Sequence, residues 1–71
     1  MEKMQCKYRV SYFYGAADFR YLSEALNAFW LLCLAEGYDV SRANISRQLH
    51  YVDSVTVGTV SIKVVYNADR N

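Results

Sequence analysis

The chain of 71 residues contains no proline, only three glycines and no long apolar run. The longest helical apolar run spans residues 28–35, far short of the roughly 20 apolar residues that a membrane-spanning helix needs. The N-terminus also lacks an apolar signal stretch. We therefore expect a soluble, intracellular, cytoplasmic protein with no membrane partner.

Cysteine and histidine, the usual ligands of structural zinc, are equally scarce. The chain has two cysteines, Cys6 and Cys33, which stand 27 positions apart, and a single histidine, His50. A structural zinc site takes about four ligands, so we expect no metal and no cofactor. Both cysteines fall at positions where the pattern predicts burial, as is usual for reduced thiols in cytosolic proteins.

Arrangements that support catalysis are missing as well. Histidine is the side chain that ordinarily titrates near neutral pH, and the chain's one histidine, His50, could form a dyad with Cys33. Cys33 is predicted on an apolar helix face, where a thiol is usually inert packing. The carboxylates show no paired spacing, and no glycine-rich loop could hold a phosphate. We expect no enzymatic activity and no small-molecule substrate.

The charges are nearly balanced, with eight Lys and Arg residues against seven Asp and Glu residues. Electrostatic binding of nucleic acid grows with the number of phosphates that the protein neutralises. A formal net charge of +1 therefore argues against a protein that coats nucleic acid. A DNA-binding role would require a local basic patch, doubled by the symmetry of a dimer.

The apolar content is high for so short a chain, because 54% of the residues are hydrophobic and 15% are aromatic. A domain of about this size buries only about 60% of the surface that its unfolded chain exposes. Some apolar surface should therefore remain for another molecule to cover. We expect one domain, residues 1–71, that forms a homodimer.

Residues 6–14 alternate between two sets of side chains and are rich in aromatic residues. This alternation predicts a half-buried strand that ends before Gly15. Tyr8, Tyr12 and Tyr14 would share one face of the strand, where they could stack unpaired bases or form the edge of the core.

A long helix follows the first strand, and its start remains open between two caps. Asp18 could cap it, or Ser23 could, in which case residues 19–22 could extend a hairpin from the first strand. Gly37 is a natural left-handed stop for the helix. The apolar face of this helix comprises Leu22, Leu26, Phe29, Trp30 and Cys33.

The C-terminal part predicts a hairpin in which residues 51–57 pair with residues 60–66. Gly58 stands at the first central position of the turn, which is typical of a type II′ turn. The register places Val57 opposite Val60, Val55 opposite Ile62, Thr56 opposite Ser61, Ser54 opposite Lys63, and Tyr51 opposite Tyr66. The predicted fold is α+β: a small antiparallel sheet, made of the first strand and this hairpin, packed on one long helix.

Residues 41–50, between the long helix and the hairpin, allow two interpretations. As a second short helix they would be capped by Ser41 and would carry an apolar stripe of Ile45, Leu49 and Val52. As a strand they would place Ile45, Leu49 and the following Tyr51 on one face, with Arg47 among them. The apolar spacing favours the helix, whereas a Gly-Tyr-x-Val sequence after a helix favours the strand.

Residues 31–50 resemble the helix-turn-helix motif of lac-repressor-type DNA-binding proteins, with Leu-Ala-Glu at the start and Val-Ser and Ser-Arg around the second helix. In such a motif Ala35 would let two helices cross closely, and Val40 and Ile45 would fill the space between them. Asp39 stands where these families usually have glycine, and Gly37 falls inside what should be the first helix. The resemblance implies a dimeric regulator of transcription that binds double-stranded DNA in the major groove. Its contact residues would be Ser41, Arg42, Asn44, Ser46 and Arg47.

The apolar residues Trp30, Leu31 and Leu34 are the second candidate site. They would form a dimer or partner interface if residues 41–50 do not fold over them. This surface also fits a different class of function. Small, tyrosine-rich, single-sheet proteins resemble accessory proteins of phages and mobile elements, which bind a host protein and inhibit it, as anti-defence proteins do. The interface would then be the apolar helix surface together with the outer face of the sheet, and residues 41–50 would be a strand.

Overall fold

The computed structural model describes residues 5–67 as a four-stranded antiparallel sheet with two helices. The elements are β1 (Gln5–Tyr12), β2 (Gly15–Phe19), α1 (Leu22–Ala35), α2 (Arg42–Gln48), β3 (Ser54–Val57) and β4 (Val60–Asn67). The strand order is β2-β1-β4-β3, so β2 and β3 are the two edges. The predicted α+β class, with one long and one short helix, is confirmed.

The first strand ends two residues earlier than predicted, and it forms a hairpin with β2 that the alternating pattern of residues 6–14 did not indicate. β1 ends at Tyr12, and Phe13 and Tyr14 connect it to β2. The register pairs Ala17 of β2 with Val10 of β1. Most two-residue turns contain Gly, Asn or Asp at their centre. Two aromatic residues stand there instead, and the strand pattern therefore continues through the turn.

The long helix begins at neither of the predicted caps. Asp18 lies within β2, and α1 begins at Leu22, with Tyr21 at the N-cap position and no side-chain hydrogen bond to the cap. Ser23 lies inside the first turn. The alternative in which a hairpin extends from the first strand is confirmed. Its second strand, however, comprises residues 15–19 and not residues 19–22. Strand pairing with β1 therefore prevails over a cap at Asp18.

The end of α1 follows the prediction that Gly37 stops the helix. Gly37 has a φ of +89°, a left-handed conformation that costs glycine little. Its amide donates to the Leu34 carbonyl at 3.0 Å, and the Tyr38 amide donates to the Cys33 carbonyl at 2.7 Å. These two bonds form a Schellman motif, which satisfies carbonyls at the helix end and turns the chain back towards the sheet.

The C-terminal hairpin has the predicted register over its paired residues. Val57 pairs with Val60, Val55 with Ile62, Thr56 with Ser61 and Ser54 with Lys63. The predicted pairing of Tyr51 with Tyr66 is wrong, because β3 begins only at Ser54. The Tyr51 amide instead donates to the Gln48 carbonyl at 2.9 Å, in the turn after α2.

Gly58 begins the turn of this hairpin with a φ of +60°, and no residue other than glycine has a positive φ among those described. A positive φ at the first central position alone is the geometry of the predicted type II′ turn. The ring of Tyr38 occupies the space that a Cβ at Gly58 would fill. Glycine is therefore required here both by the backbone conformation and by the close approach of this ring.

The core lies between the helices and one face of the sheet. On α1, Leu26, Phe29 and Cys33 are buried as predicted, while Leu22 and Trp30 are half-buried. The Cys6 side chain lies outside the residues whose side chains the structure describes. The buried core residues are Val10, Ala25, Leu26, Phe29, Cys33, Ile45, Val55, Val60 and Ile62.

Gly58→Ala should lower the free energy of unfolding by about 1–3 kcal/mol, because alanine is strained at this φ and its Cβ displaces the Tyr38 ring. Chemical denaturation of the variant measures the loss. The same substitution in a Tyr38→Ala background serves as the control, since only the backbone strain then remains. An equal loss in both backgrounds would contradict a role for the ring contact.

Candidate functional site

Residues 42–48 form a helix, so the helical interpretation is confirmed and the strand interpretation is wrong. Ser41 is the N-cap, and its Oγ accepts a hydrogen bond from the Asn44 amide at 3.3 Å. Ile45 is buried and Leu49 is half-buried against the core, whereas Val52 is 47% exposed. The local cap and the apolar spacing in the sequence therefore predicted the conformation of this segment correctly.

The connection between the two helices is longer than the motif suggests. Residues 36–41 separate α1 from α2, whereas a helix-turn-helix usually has a turn of about three or four residues. Val40 is half-buried against the core, as expected for a residue that fills the space between the helices. Ala35, expected at a close helix crossing, is exposed at the last turn of α1. The helix ends there because the Schellman motif at Gly37 turns the chain away.

Arg42 is directed towards α1. Its guanidinium carbon lies 4.5 Å from the centre of the Trp30 ring, and its Nη1 donates to Asn27 Oδ1 at 3.2 Å. A cation over an aromatic ring at an exposed site contributes about 0.5–1 kcal/mol. Arg42 therefore fastens the first turn of α2 to α1 and covers part of Trp30.

Asn44 and Arg47 lie on the side of α2 that faces away from the core. Both side chains are exposed, and Arg47 Nη1 donates to Asn44 Oδ1 at 3.3 Å. Ser46 is half-buried on the flank of the helix, and the Ser41 hydroxyl is engaged in the cap. The structure thus brings the predicted contact residues onto one short helix, but directs only Asn44 and Arg47 outward together.

The segment around α2 has no excess of positive charge. Arg42 and Arg47 are its cations, and Glu36, Asp39 and Asp53 flank them in the chain. Any affinity for a polyanion must therefore come from the position of individual side chains rather than from a strongly basic surface.

The apolar surface predicted on α1 is only partly covered. Leu31 and Leu34 are 51% and 47% exposed, whereas Trp30 is half-buried beneath Arg42. α2 therefore accounts for the shielding of the tryptophan but leaves the two leucines open to solvent.

The turn between β1 and β2 carries an aromatic cluster that the sequence analysis missed. Phe13 and Tyr14 are 77% and 83% exposed, and their rings meet edge to face with centres 5.0 Å apart. Tyr12 reaches the Tyr14 ring at 6.4 Å. The Tyr-Phe-Tyr-Gly sequence is the signal that could have located this cluster, since glycine follows directly.

Two other candidate chemistries find no support in the side-chain positions. Tyr8 and Tyr12 pack against the core on the helix-facing side of the sheet, so the interpretation that they stack bases is wrong. Cys33 is fully buried, and burial raises the pKa of its thiol, which disfavours the reactive thiolate.

Among the side chains that the structure describes, no three of the metal-ligating types come together. No helix within residues 5–67 is long and apolar enough to cross a membrane.

The opposite face of the sheet carries an ion pair between its first two strands. Arg9 Nε and Nη2 donate to the two carboxylate oxygens of Asp18 at 2.8 and 3.2 Å. The hydrogen bonds from Arg9 hold the pKa of Asp18 below its usual value, and the charges of Arg9 and Lys7 act in the same direction. The Asp18 carboxylate therefore belongs to a cross-strand ion pair and not to a helix cap.

Asp18→Asn should remove a pH-dependent part of the stability. The folded-state pKa of Asp18 lies below the unfolded value of about 3.9, so its contribution is complete above that value and is lost as the pH falls through the folded pKa. The difference in unfolding free energy between wild type and variant, measured by denaturation at several pH values, should be constant above about pH 5 and shrink in more acidic solution. A difference that grows on acidification would contradict the ion pair.

Comparison with known proteins adds no relative to this description. No protein-family model, no curated protein and no solved structure matches the chain.

Proposed function

We propose that the protein is a non-enzymatic, cytoplasmic transcriptional regulator that binds double-stranded DNA as a dimer and places α2 in the major groove. The observation that carries this proposal is the helix at residues 42–48, which is capped by Ser41 and anchored in the core by Ile45, and which exposes Asn44 and Arg47 together on its outer side. A helix presenting its polar side from a rigid support is the common mode of major-groove recognition.

Asn44 and Arg47 are the residues that would read DNA. Arginine donates two hydrogen bonds to guanine, and asparagine pairs with adenine through its amide. Each side chain can also bind a phosphate. Their mutual hydrogen bond of 3.3 Å holds both head groups above the same turn of α2. On DNA this exposed bond would be exchanged for contacts to base edges.

Arg42 has a positioning role in this proposal. A helix as short as α2 is marginal on its own, so it depends on Ile45 in the core and on the contacts of Arg42 with Trp30 and Asn27. These contacts orient α2 relative to α1. Arg42 remains exposed and could reach a phosphate at the edge of the groove.

The charge balance makes a dimer part of the proposal. With a net charge of +1, one copy offers few cations to the phosphate backbone. Each phosphate that is neutralised steepens the salt dependence of binding by about 0.9 in the slope of log K against log salt. Two copies of α2, bound to two half-sites, would double both the contacts and the slope.

Arg47→Ala should weaken binding to a selected duplex by about 1–3 kcal/mol, because it removes a base or phosphate contact. If the contact is to phosphate, the salt slope should also fall by about 0.9 for each copy. Arg42→Ala should weaken binding as well. Fluorescence anisotropy, with a duplex selected from a random-sequence pool, measures both quantities.

Lys63→Ala is the matched control for these variants. It also removes one exposed positive charge, but from the sheet face opposite the helices, where Lys63 is the cross-strand neighbour of Arg9 in the register of β1 and β4. It should leave the affinity and the salt slope nearly unchanged. If the selection yields no duplex that binds in a salt-sensitive manner, the DNA-binding proposal fails.

The exposed leucines support a second candidate, a docking protein of the kind that phages and mobile elements use to inhibit a host protein. Leu31 and Leu34 are about half exposed on a helix whose opposite side contributes Leu26, Phe29 and Cys33 to the core. Leucine anchors of this kind gain energy when a partner excludes water from them. The host partner would cover α1 rather than α2.

Leu31→Glu should abolish capture of such a host protein without unfolding the chain, because the side chain is exposed in the free protein. Tyr51→Glu, at an exposed aromatic residue beyond α2, is the matched control and should retain capture. Affinity purification with tagged variants, together with circular dichroism, checks both. Equal recovery of the same partner by both variants would exclude α1 as the docking surface.

A further inference from the structure

The first edge of the sheet, β2, contains no lysine, proline or bulge, and its one charged side chain, Asp18, is paired with Arg9 of β1. Edge strands are commonly blunted by lysine, proline or a bulge. β2 has the sequence Gly-Ala-Ala-Asp-Phe, and its first four residues are exposed. Small side chains of this kind leave the backbone of β2 accessible to another strand.

The pairing of β2 with β1 shows which backbone groups face the open edge. Tyr12 and Gly15 close a two-residue turn, and they therefore form a hydrogen-bonded pair. Hydrogen-bonded pairs alternate along an antiparallel ladder, so Ala17 also bonds to β1. The amides and carbonyls of Ala16 and Asp18 then point away from β1, towards the open edge.

Exposed aromatic residues stand at both ends of this strand. Phe13 and Tyr14 precede β2 and are 77% and 83% exposed. Tyr21 follows it and is 59% exposed. Counted from Ala17, Phe13 and Tyr21 are equally distant along the chain, as are Tyr14 and Arg20. A two-fold axis at Ala17 would therefore bring the turn of one copy beside the segment after β2 of the other.

We propose that β2 pairs antiparallel with β2 of a second copy about a two-fold axis at Ala17, which joins the two sheets into one of eight strands. Ala16 then faces the partner's Asp18, and these residues exchange the backbone hydrogen bonds that are free at the open edge. Ala17 faces its own counterpart at the axis. The interface is isologous, as expected for the commonest type of homodimer.

Side-chain sizes match across this register. On the helix-facing side, Phe19 lies opposite the partner's Gly15, above which there is open space. On the other side, Asp18 lies opposite the small side chain of the partner's Ala16, while it keeps its ion pair with Arg9. Moving the axis to Asp18 would place two carboxylates directly opposite each other, which is unfavourable.

The ends of the paired strands supply the apolar area that glycine and alanine lack. An aromatic side chain buries about 150–250 Å² when fully covered. Phe13 and Tyr14 already form an ordered edge-to-face pair, so little conformational freedom is lost when the partner's Tyr21 packs against them. The partner's Arg20 would lie near the Tyr14 ring, where a cation is favourable.

Charge substitutions at Ala17 test this dimer directly, and the test does not rest on the proposed DNA binding. Across the proposed interface, residue 17 of one copy lies opposite residue 17 of the other. Ala17→Lys and Ala17→Glu should therefore each place two like charges opposite each other and repel the partner. Each variant should sediment with half the mass of the wild type, as a single chain of 8.2 kDa. An equimolar mixture of the two should recover the mass of two chains, because opposite charges then meet at the axis.

Thr56→Lys, an exposed position on the other edge strand, is the matched control and should leave the dimer intact. A wild-type chain that sediments as a monomer throughout a dilution series from millimolar to micromolar would overturn the proposal. So would a mixture of the two Ala17 variants that stays monomeric, or a dimer that Leu31→Glu dissociates and Ala17→Lys does not.

Amide hydrogen exchange of the wild type provides a second measurement that needs no substitution, in case the Ala17 variants fail to fold. The amides of Ala16 and Asp18 should become protected as the concentration rises, because pairing with the partner engages them. Exchange at these two amides that does not change with concentration would overturn the proposal.

Discussion

The packing of α1 on the sheet is the interaction on which the rest of the structure depends. Phe29 of α1 is fully buried, as are Val10 and Ile62 of the two central strands. Because strand side chains alternate between faces, this contact also determines where every other side chain of the sheet points. It places the aromatic rings of β1 under the helix and leaves Arg9 and Asp18 on the opposite face.

A single helical layer leaves parts of so small a sheet uncovered. Both helices lie on one face, so the other face and the two edge strands remain accessible in the described part of the chain. The apolar content of the sequence anticipates this, since a short chain cannot bury all of it. The exposed large apolar residues form three groups: Phe13, Tyr14 and Tyr21 flank β2, Leu31 and Leu34 lie on the outer side of α1, and Tyr51 and Val52 follow α2.

α2 shows how a short element is held by a few contacts. Its cap is local, its anchor is the buried Ile45, and its orientation depends on Arg42 stacked over Trp30. Because Arg42 makes these contacts with α1, its side chain does not extend outward from α2 beside Asn44 and Arg47. The proposed DNA-reading surface is therefore narrower than the sequence motif suggests, and centres on Asn44 and Arg47.

Local chemistry in the sequence by itself determined several elements. Gly37 ends α1, Ser41 caps α2, and Gly58 forms the turn of the C-terminal hairpin, because each acts on its own neighbours in the chain. The tertiary structure alone decided the rest. β2 exists because its backbone pairs with β1, and Asp18 is bound by Arg9 instead of capping a helix. The direction of Arg42 likewise depends on Trp30 and Asn27, which are distant in sequence and become neighbours only when the helices pack.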